Sequence, residues 1–237
     1  MNEKRKAPEQ LQEYFFYRGD FGLKTPILQS DVNLVKFSGN PHSREFQNQL
    51  LWLTPLKNYA ERVAVARAIA QLLISPNIDP ELFSRVSLTE YKVGRQTQIY
   101  SSTKEYLMPI SGDEELPSQV IIQGVGVENV RFMILEEDSI KKLVDLLNQS
   151  IPKDKLKNFL GRVNMRLMAN IYPPQGNESL TMLEYIKKFT EQILASMGGY
   201  IERVHKTDPR AYVLDIVAES VFIYLLNDID LQWKEVK

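Results

Sequence analysis

The hydrophobic periodicity of the sequence changes near Glu136, and this change constrains the fold more than any other feature. Before it, short segments such as Val86–Val93 and Val127–Leu135 are rich in β-branched and aromatic residues, which is typical of strands. After it, apolar residues recur every three or four positions, the spacing of amphipathic helices. A series of strands followed by a series of helices predicts an α+β fold.

The change near Glu136 also predicts the domain organisation. We expect N-terminal helices and an antiparallel sheet in residues 1–135, followed by a helical C-terminal subdomain in residues 136–237. The two regions are expected to form one continuous globular unit, because no low-complexity linker separates them. A chain of 237 residues is long enough to bury most of the surface that its unfolded form exposes.

Two long helices and a short one, Glu81 to Arg85, are predicted in the N-terminal region. Asn40 and Pro41 supply a cap and a first-turn proline, and Leu50 and Leu53 lie at helical spacing behind them. The second helix is predicted over residues 57–74, where apolar residues cover a wide surface. Both predictions rest on periodicity together with the residues that start and stop helices.

From Glu136 onward the sequence predicts helices alone. The last of them begins at Asp208 and Pro209, a cap followed by a first-turn proline. The apolar surface of these helices exceeds what one domain of this size is expected to cover. We therefore expect a patch that another macromolecule shields.

Composition narrows the cellular setting. The chain has no cysteine, which excludes disulfides, thiolate metal ligands and cysteine nucleophiles, and the reducing cytoplasm is the compartment we expect. No apolar segment follows the charged N-terminus, so we expect no secretory signal. The longest apolar run, residues 221–226, is far shorter than the roughly 20 residues that cross a bilayer. We expect no membrane association.

Motifs for catalysis and cofactors are scarce. Gly124 and Gly126 suggest a phosphate loop, but the residues after them are strand-like, whereas a phosphate loop leads into a helix. The chain contains two histidines, and neither lies near a candidate nucleophile. We therefore predict no cofactor and no catalytic residues, and a non-enzymatic role is favoured.

An acidic pair supports an enzyme as one alternative. Asp215 and Glu219 are four residues apart, so both carboxylates lie on one face of a largely apolar helix. A buried pair of this kind is able to bind a divalent metal or to act as acid and base. They are the candidate metal ligands, although a solvent-exposed helix stripe is the better explanation of the spacing.

A basic helix supports nucleic-acid binding as another alternative. Residues 153–166 hold five cations and one acidic residue, although the formal net charge of the whole chain is −1. A cationic helix face is able to contact phosphates or an acidic partner, although an ordinary solvated face is the favoured explanation. The candidate nucleic-acid-binding residues are Lys153, Lys155, Arg162 and Arg166.

The favoured function is that of a non-enzymatic binding or assembly protein, a subunit of a cytoplasmic multi-component complex with other protein subunits as partners. Its candidate partner-binding residues form an aromatic run that suits an interface anchor. The alternatives are a nucleic-acid-associated regulator or mobile-element or defence component, and a carboxylate- or metal-dependent enzyme. The aromatic run consists of Tyr14, Phe15, Phe16 and Tyr17.

Overall fold

The structure, a computed structural model, has an α+β fold with its helices concentrated in the C-terminal half, as the sequence predicts. It describes residues 14–22, 50–75, 81–93, 99–102, 107–109, 120–123, 127–173, 180–205 and 208–236. The strands described are β1 Tyr14–Phe21, β2 Leu50–Leu53, β3 Val86–Val93, β4 Ile99–Ser102, β5 Leu107–Pro109, β6 Val120–Gln123, β7 Val127–Leu135 and β8 Trp233–Glu235. The helices described are α1 Lys57–Ile74, α2 Glu81–Ser84, α3 Glu137–Leu147, α4 Lys153–Leu167, α5 Met182–His205 and α6 Pro209–Tyr224.

The strands form two four-stranded sheets. One has the order β1-β3-β7-β8, and the other has the order β2-β6-β4-β5. The second sheet is antiparallel throughout: β2 pairs with β6, β6 with β4, and β4 with β5. An isolated antiparallel bridge between Tyr17 and Thr54 connects β1 to the residue that follows β2, with N···O distances of 2.7 and 2.9 Å.

Strand β3 is the most buried strand described. Seven of its eight side chains are buried, and Lys92 is half-buried, so both faces of the strand are covered. A carboxylate in this position requires a charged partner. Glu90 is 3% exposed, and it accepts a hydrogen bond from the Arg131 Nε of β7 at 2.5 Å. A second buried pair, Arg18 with Asp20, lies within β1.

The helical core is built around α6, which packs against both α4 and α5. Helix α6 is apolar around most of its circumference, which is typical of a central helix. Asp208 accepts a hydrogen bond from the Arg210 amide and Pro209 follows it, which confirms the predicted helix start. Buried side chains at the centre of this core include Phe159, Val163, Ile186, Phe189, Ile193, Val213, Val217 and Val221.

The chain divides into two compact units. The first comprises residues 1–61, 87–133 and 235–237, and the second comprises residues 62–86 and 134–234. The second unit thus contains most of α1 in addition to the C-terminal helices. The two ends of its segment 134–234 are joined by hydrogen bonds. The Glu136 amide donates to the Gln232 carbonyl, and the Gln232 amide donates to the buried Ser139 hydroxyl.

Several predicted elements are confirmed at their bounds, namely α1, β3 and β7. Two predictions are wrong. Leu50 and Leu53 lie in strand β2 and not in a helix, and the region after Glu136 is not wholly helical, because β8 follows the last helix. The predicted helix start at Asn40 lies outside the described residues. Among the residues described, no helix has both the length and the apolar character that a membrane span requires.

Candidate functional site

Helix α4 separates a buried face from a polar and exposed one. Phe159, Val163 and Leu167 are buried at intervals of four residues, and Phe159 meets Phe189 of α5 edge-on with a ring-centroid distance of 5.8 Å. The opposite face is exposed at Gly161 and Met165. The helix therefore has a fixed orientation, which determines the side chains that it presents to solvent.

The end of α4 has an unusual backbone conformation. Met168 lies in the left-handed region, with φ 51° and ψ 43°. Glycine is the residue that normally occupies this position after a helix, because any Cβ there is strained. Met168 is the one non-glycine residue with positive φ among the described part of the chain.

Side chains from α4 and α5 hold the turn that follows Met168. The Asn164 carboxamide accepts a hydrogen bond from the Ile171 amide at 2.9 Å and donates one to the Ile171 carbonyl at 3.1 Å. Gln192 donates to the Tyr172 carbonyl at 3.0 Å. These contacts hold the backbone of the turn at Ile171 and Tyr172.

Three large apolar side chains are exposed at the end of α4 and in the turn that follows it. Met165 is 62% exposed, Met168 is 87% exposed and Tyr172 is 78% exposed. We call these three residues the methionine–tyrosine patch. The sequence patterns do not single them out, although an apolar Met165 on the polar face of α4 is a detectable signal.

The four predicted nucleic-acid-binding cations differ in their surroundings. The Lys155 ammonium contacts Asp228 Oδ2 at 2.5 Å and Asn227 Oδ1 at 3.2 Å, and Arg166 lies 4.0 Å from Glu219. Lys153 and Arg162 form no hydrogen bond or ion pair through their side chains in the described part of the structure. Two of the four positive charges are therefore partly neutralised by acidic residues.

The predicted acidic pair lies among arginines. Glu219 is the centre of this cluster, with Arg62 at 3.4 Å in addition to Arg166. Desolvation raises the pKa of Asp215; Arg67 opposes this shift and the Glu219 charge adds to it. Across the described residues, no group of three or more His, Asp or Glu side chains is arranged to hold a metal ion.

The aromatic run forms the start of β1. Phe16 is fully buried, Tyr17 is half-buried, and Phe15 is 45% exposed. Tyr14 is the first residue of the strand. Among the three side chains described, Phe15 thus offers the largest exposed surface.

Comparison with known proteins adds no relative, since no family model, curated protein or solved structure matches this chain.

Proposed function

We propose that this chain is a non-enzymatic binding protein, a subunit of a cytoplasmic complex that docks another protein. The observation that carries the proposal is the methionine–tyrosine patch, whose three side chains are each more than 60% exposed. The cytoplasm is proposed because a chain without cysteine suits a reducing compartment.

The composition of the patch supports protein binding. Methionine, tyrosine and arginine are enriched at the centres of protein interfaces, and Arg162 precedes Met165 by one helical turn. A methionine side chain adapts to an irregular partner surface, while a tyrosine supplies a large contact area with few rotatable bonds. The patch therefore combines adaptable and rigid contacts.

The rigidity of the turn supports the same function. Hydrogen bonds from Asn164 and Gln192 fix the backbone of Ile171 and Tyr172. A surface that is already ordered before binding loses less conformational entropy on association. Phe15 is a second proposed contact, because it is the exposed member of the aromatic run.

Co-purification from the native source tests this proposal. The tagged chain, expressed at its native level and treated with nuclease, is expected to elute from a sizing column with at least one other protein in a fixed stoichiometry. Recovery of the chain on its own, at the size of one copy, would contradict the proposal.

Nucleic-acid binding remains a second candidate, supported by Lys153 and Arg162. Because these two cations have no charged partner in the described part of the chain, both are available to phosphates. Binding of duplex DNA or of RNA that weakens steeply with salt, and weakens further in Arg162→Ala, would favour this candidate. Binding that is insensitive to salt would contradict it.

A further inference from the structure

Gly161 is an unfavourable residue for its position. It lies in the middle of α4 on the exposed face, where glycine weakens a helix relative to alanine. No atom of the chain lies within 4 Å of the position that a Cβ would occupy at Gly161. Packing within the chain would therefore tolerate a larger residue there.

Gly161 and the patch share one side of the helix. Lys157, Gly161 and Met165 follow one another at intervals of four residues, and Met168 is three residues further. At Gly161 this row is flat, because the backbone has no side chain above it. Such a gap allows the backbone of a partner to approach the helix closely.

Cations lie beside the row. Lys157 is part of it, and Arg162 follows Gly161 on its flank. Neither side chain forms a hydrogen bond or an ion pair within the described residues. The acidic Asp154 lies in the first turn of α4, where the helix dipole favours a negative charge. The central part of the row is thus apolar and cationic.

Three features coincide at one surface: a glycine that weakens the helix, a methionine with a strained backbone, and exposed apolar side chains next to cations that have no ion-pair partner in the described part of the chain. Residues that break local rules without a gain for the fold are typical of functional surfaces. The positive charges of this surface favour a partner surface with negative charge, because complementary charge directs association and selects among partners.

We propose that the row Lys157, Gly161, Met165 and Met168, together with Arg162 and Tyr172, docks an acidic segment of a partner protein. This inference rests on the proposed function. Apolar side chains of that segment cover Met165, Met168 and Tyr172, its carboxylates meet Lys157 and Arg162, and its backbone passes over Gly161.

Site-specific crosslinking tests this inference. A photo-crosslinking phenylalanine analogue replaces Met165 in the full chain, expressed in the native source, and the crosslinked peptide is sequenced. The same analogue at Asp145, an exposed position of α3, is the control. We expect a crosslink from position 165 to a net-acidic segment that contains apolar residues, and none to that segment from position 145.

Charge reversal provides the second readout. Lys157→Glu with Arg162→Glu is expected to lower retention of the partner about tenfold or more. The control has a similar change in charge at two exposed lysines elsewhere, Lys142→Glu with Lys188→Glu, and is expected to keep the partner. Circular dichroism and thermal unfolding confirm that both variants are folded.

Each outcome decides the inference. A crosslink to nucleic acid, to a second copy of this chain, or to a neutral or basic segment overturns it. Partner retained without any crosslink from position 165, or unaffected by the charge reversal, also overturns it while the proposed function stands. If the chain has no protein partner at all, both fail together.

Discussion

Glu90 places a carboxylate inside the most buried strand of the first unit. Its exposed fraction is 3%, and its partner Arg131 retains an exposed side chain. The hydrogen bond and the charge of Glu90 raise the pKa of Arg131. Because Glu90 is buried and Arg131 reaches solvent, removing the arginine alone is expected to lower the free energy of unfolding more than removing both charges.

Arg131→Ala is expected to lower the free energy of unfolding by about 2–3 kcal/mol, since it leaves a buried carboxylate without its cation. Urea unfolding measures the change. The double variant Arg131→Ala with Glu90→Gln is the control, and it should lose less than the single arginine variant. A single variant as stable as the wild type would contradict this account.

Asp215 is exposed, so solvent screening weakens its interactions, and its raised pKa is expected to make stability depend only modestly on pH. Desolvation raises its pKa, so the native state holds this proton to a higher pH than the unfolded chain does. The native state then binds more protons in the window above the usual pKa, and the stability from this group is lost as pH rises through that window. The sign is opposite to that of a carboxylate stabilised by an ion pair.

Asp215→Asn removes this dependence and preserves the shape of the side chain. We expect the variant to gain stability relative to the wild type as pH is raised from about 4 to about 7. Urea unfolding at several pH values gives the difference. A relative stability that stays constant, or that falls as pH rises, would show that the environment of Asp215 is not as described.

At the scale of the element, α4 is weakened by one residue within it and by the residue that follows its end. Gly161 lowers helix propensity on an exposed face, and Met168 places a side chain where glycine is preferred. Packing on the inner face through Phe159, Val163 and Leu167 holds the helix in place. Tertiary packing therefore stabilises the helix, and the residues of its outer face are not needed for that packing.

Two substitutions in α4 are expected to stabilise the protein. Gly161→Ala should add about 0.5–1 kcal/mol to the free energy of unfolding, and Met168→Gly about 1 kcal/mol, because each removes a local penalty. Thermal and urea unfolding measure both. Met168→Ala is the matched control, since it keeps the strained backbone and should give no gain. Destabilisation by Met168→Gly would indicate that its side chain supports the fold.

The elements also show what periodicity can predict. A long helix such as α1 has many apolar residues at helical spacing, and the bounds of α1 match those predicted. The four residues of β2 are all apolar, so spacing alone does not distinguish a helix from a buried strand. Strand β8 has only three residues. Directly after it, the Val236 amide donates a hydrogen bond to the carbonyl of Phe132, which is distant in the sequence. Such non-local pairing has no local signal.

The candidate surface was predicted in part. The cations of α4 are visible in the sequence, but their ion pairs with Asp228 and Glu219 depend on how helices pack. The left-handed conformation at Met168 has no sequence signal, because glycine and asparagine are the residues expected there. Burial of Phe16 beside an exposed Phe15 follows from strand alternation, once the run is known to be a strand.

At the scale of the whole molecule, several charged groups of the described residues pair with one another within the fold. Glu219 is shared by Arg62 and Arg166, so its charge is already balanced. We expect millimolar Mg²⁺, Mn²⁺ or Zn²⁺ to leave the melting temperature unchanged, because binding would have to displace these arginines. A metal-dependent rise in melting temperature that disappears in Asp215→Asn would support the enzyme alternative.

The central claim is that the outer face of α4 serves a partner and not the fold. The most direct measurement compares partner retention with thermal stability for the double variant Gly161→Ala with Met168→Gly, purified from the native source beside the wild type. The account predicts a higher melting temperature together with partner retention reduced about tenfold. A double variant that is more stable and still retains its partner as the wild type does would contradict it.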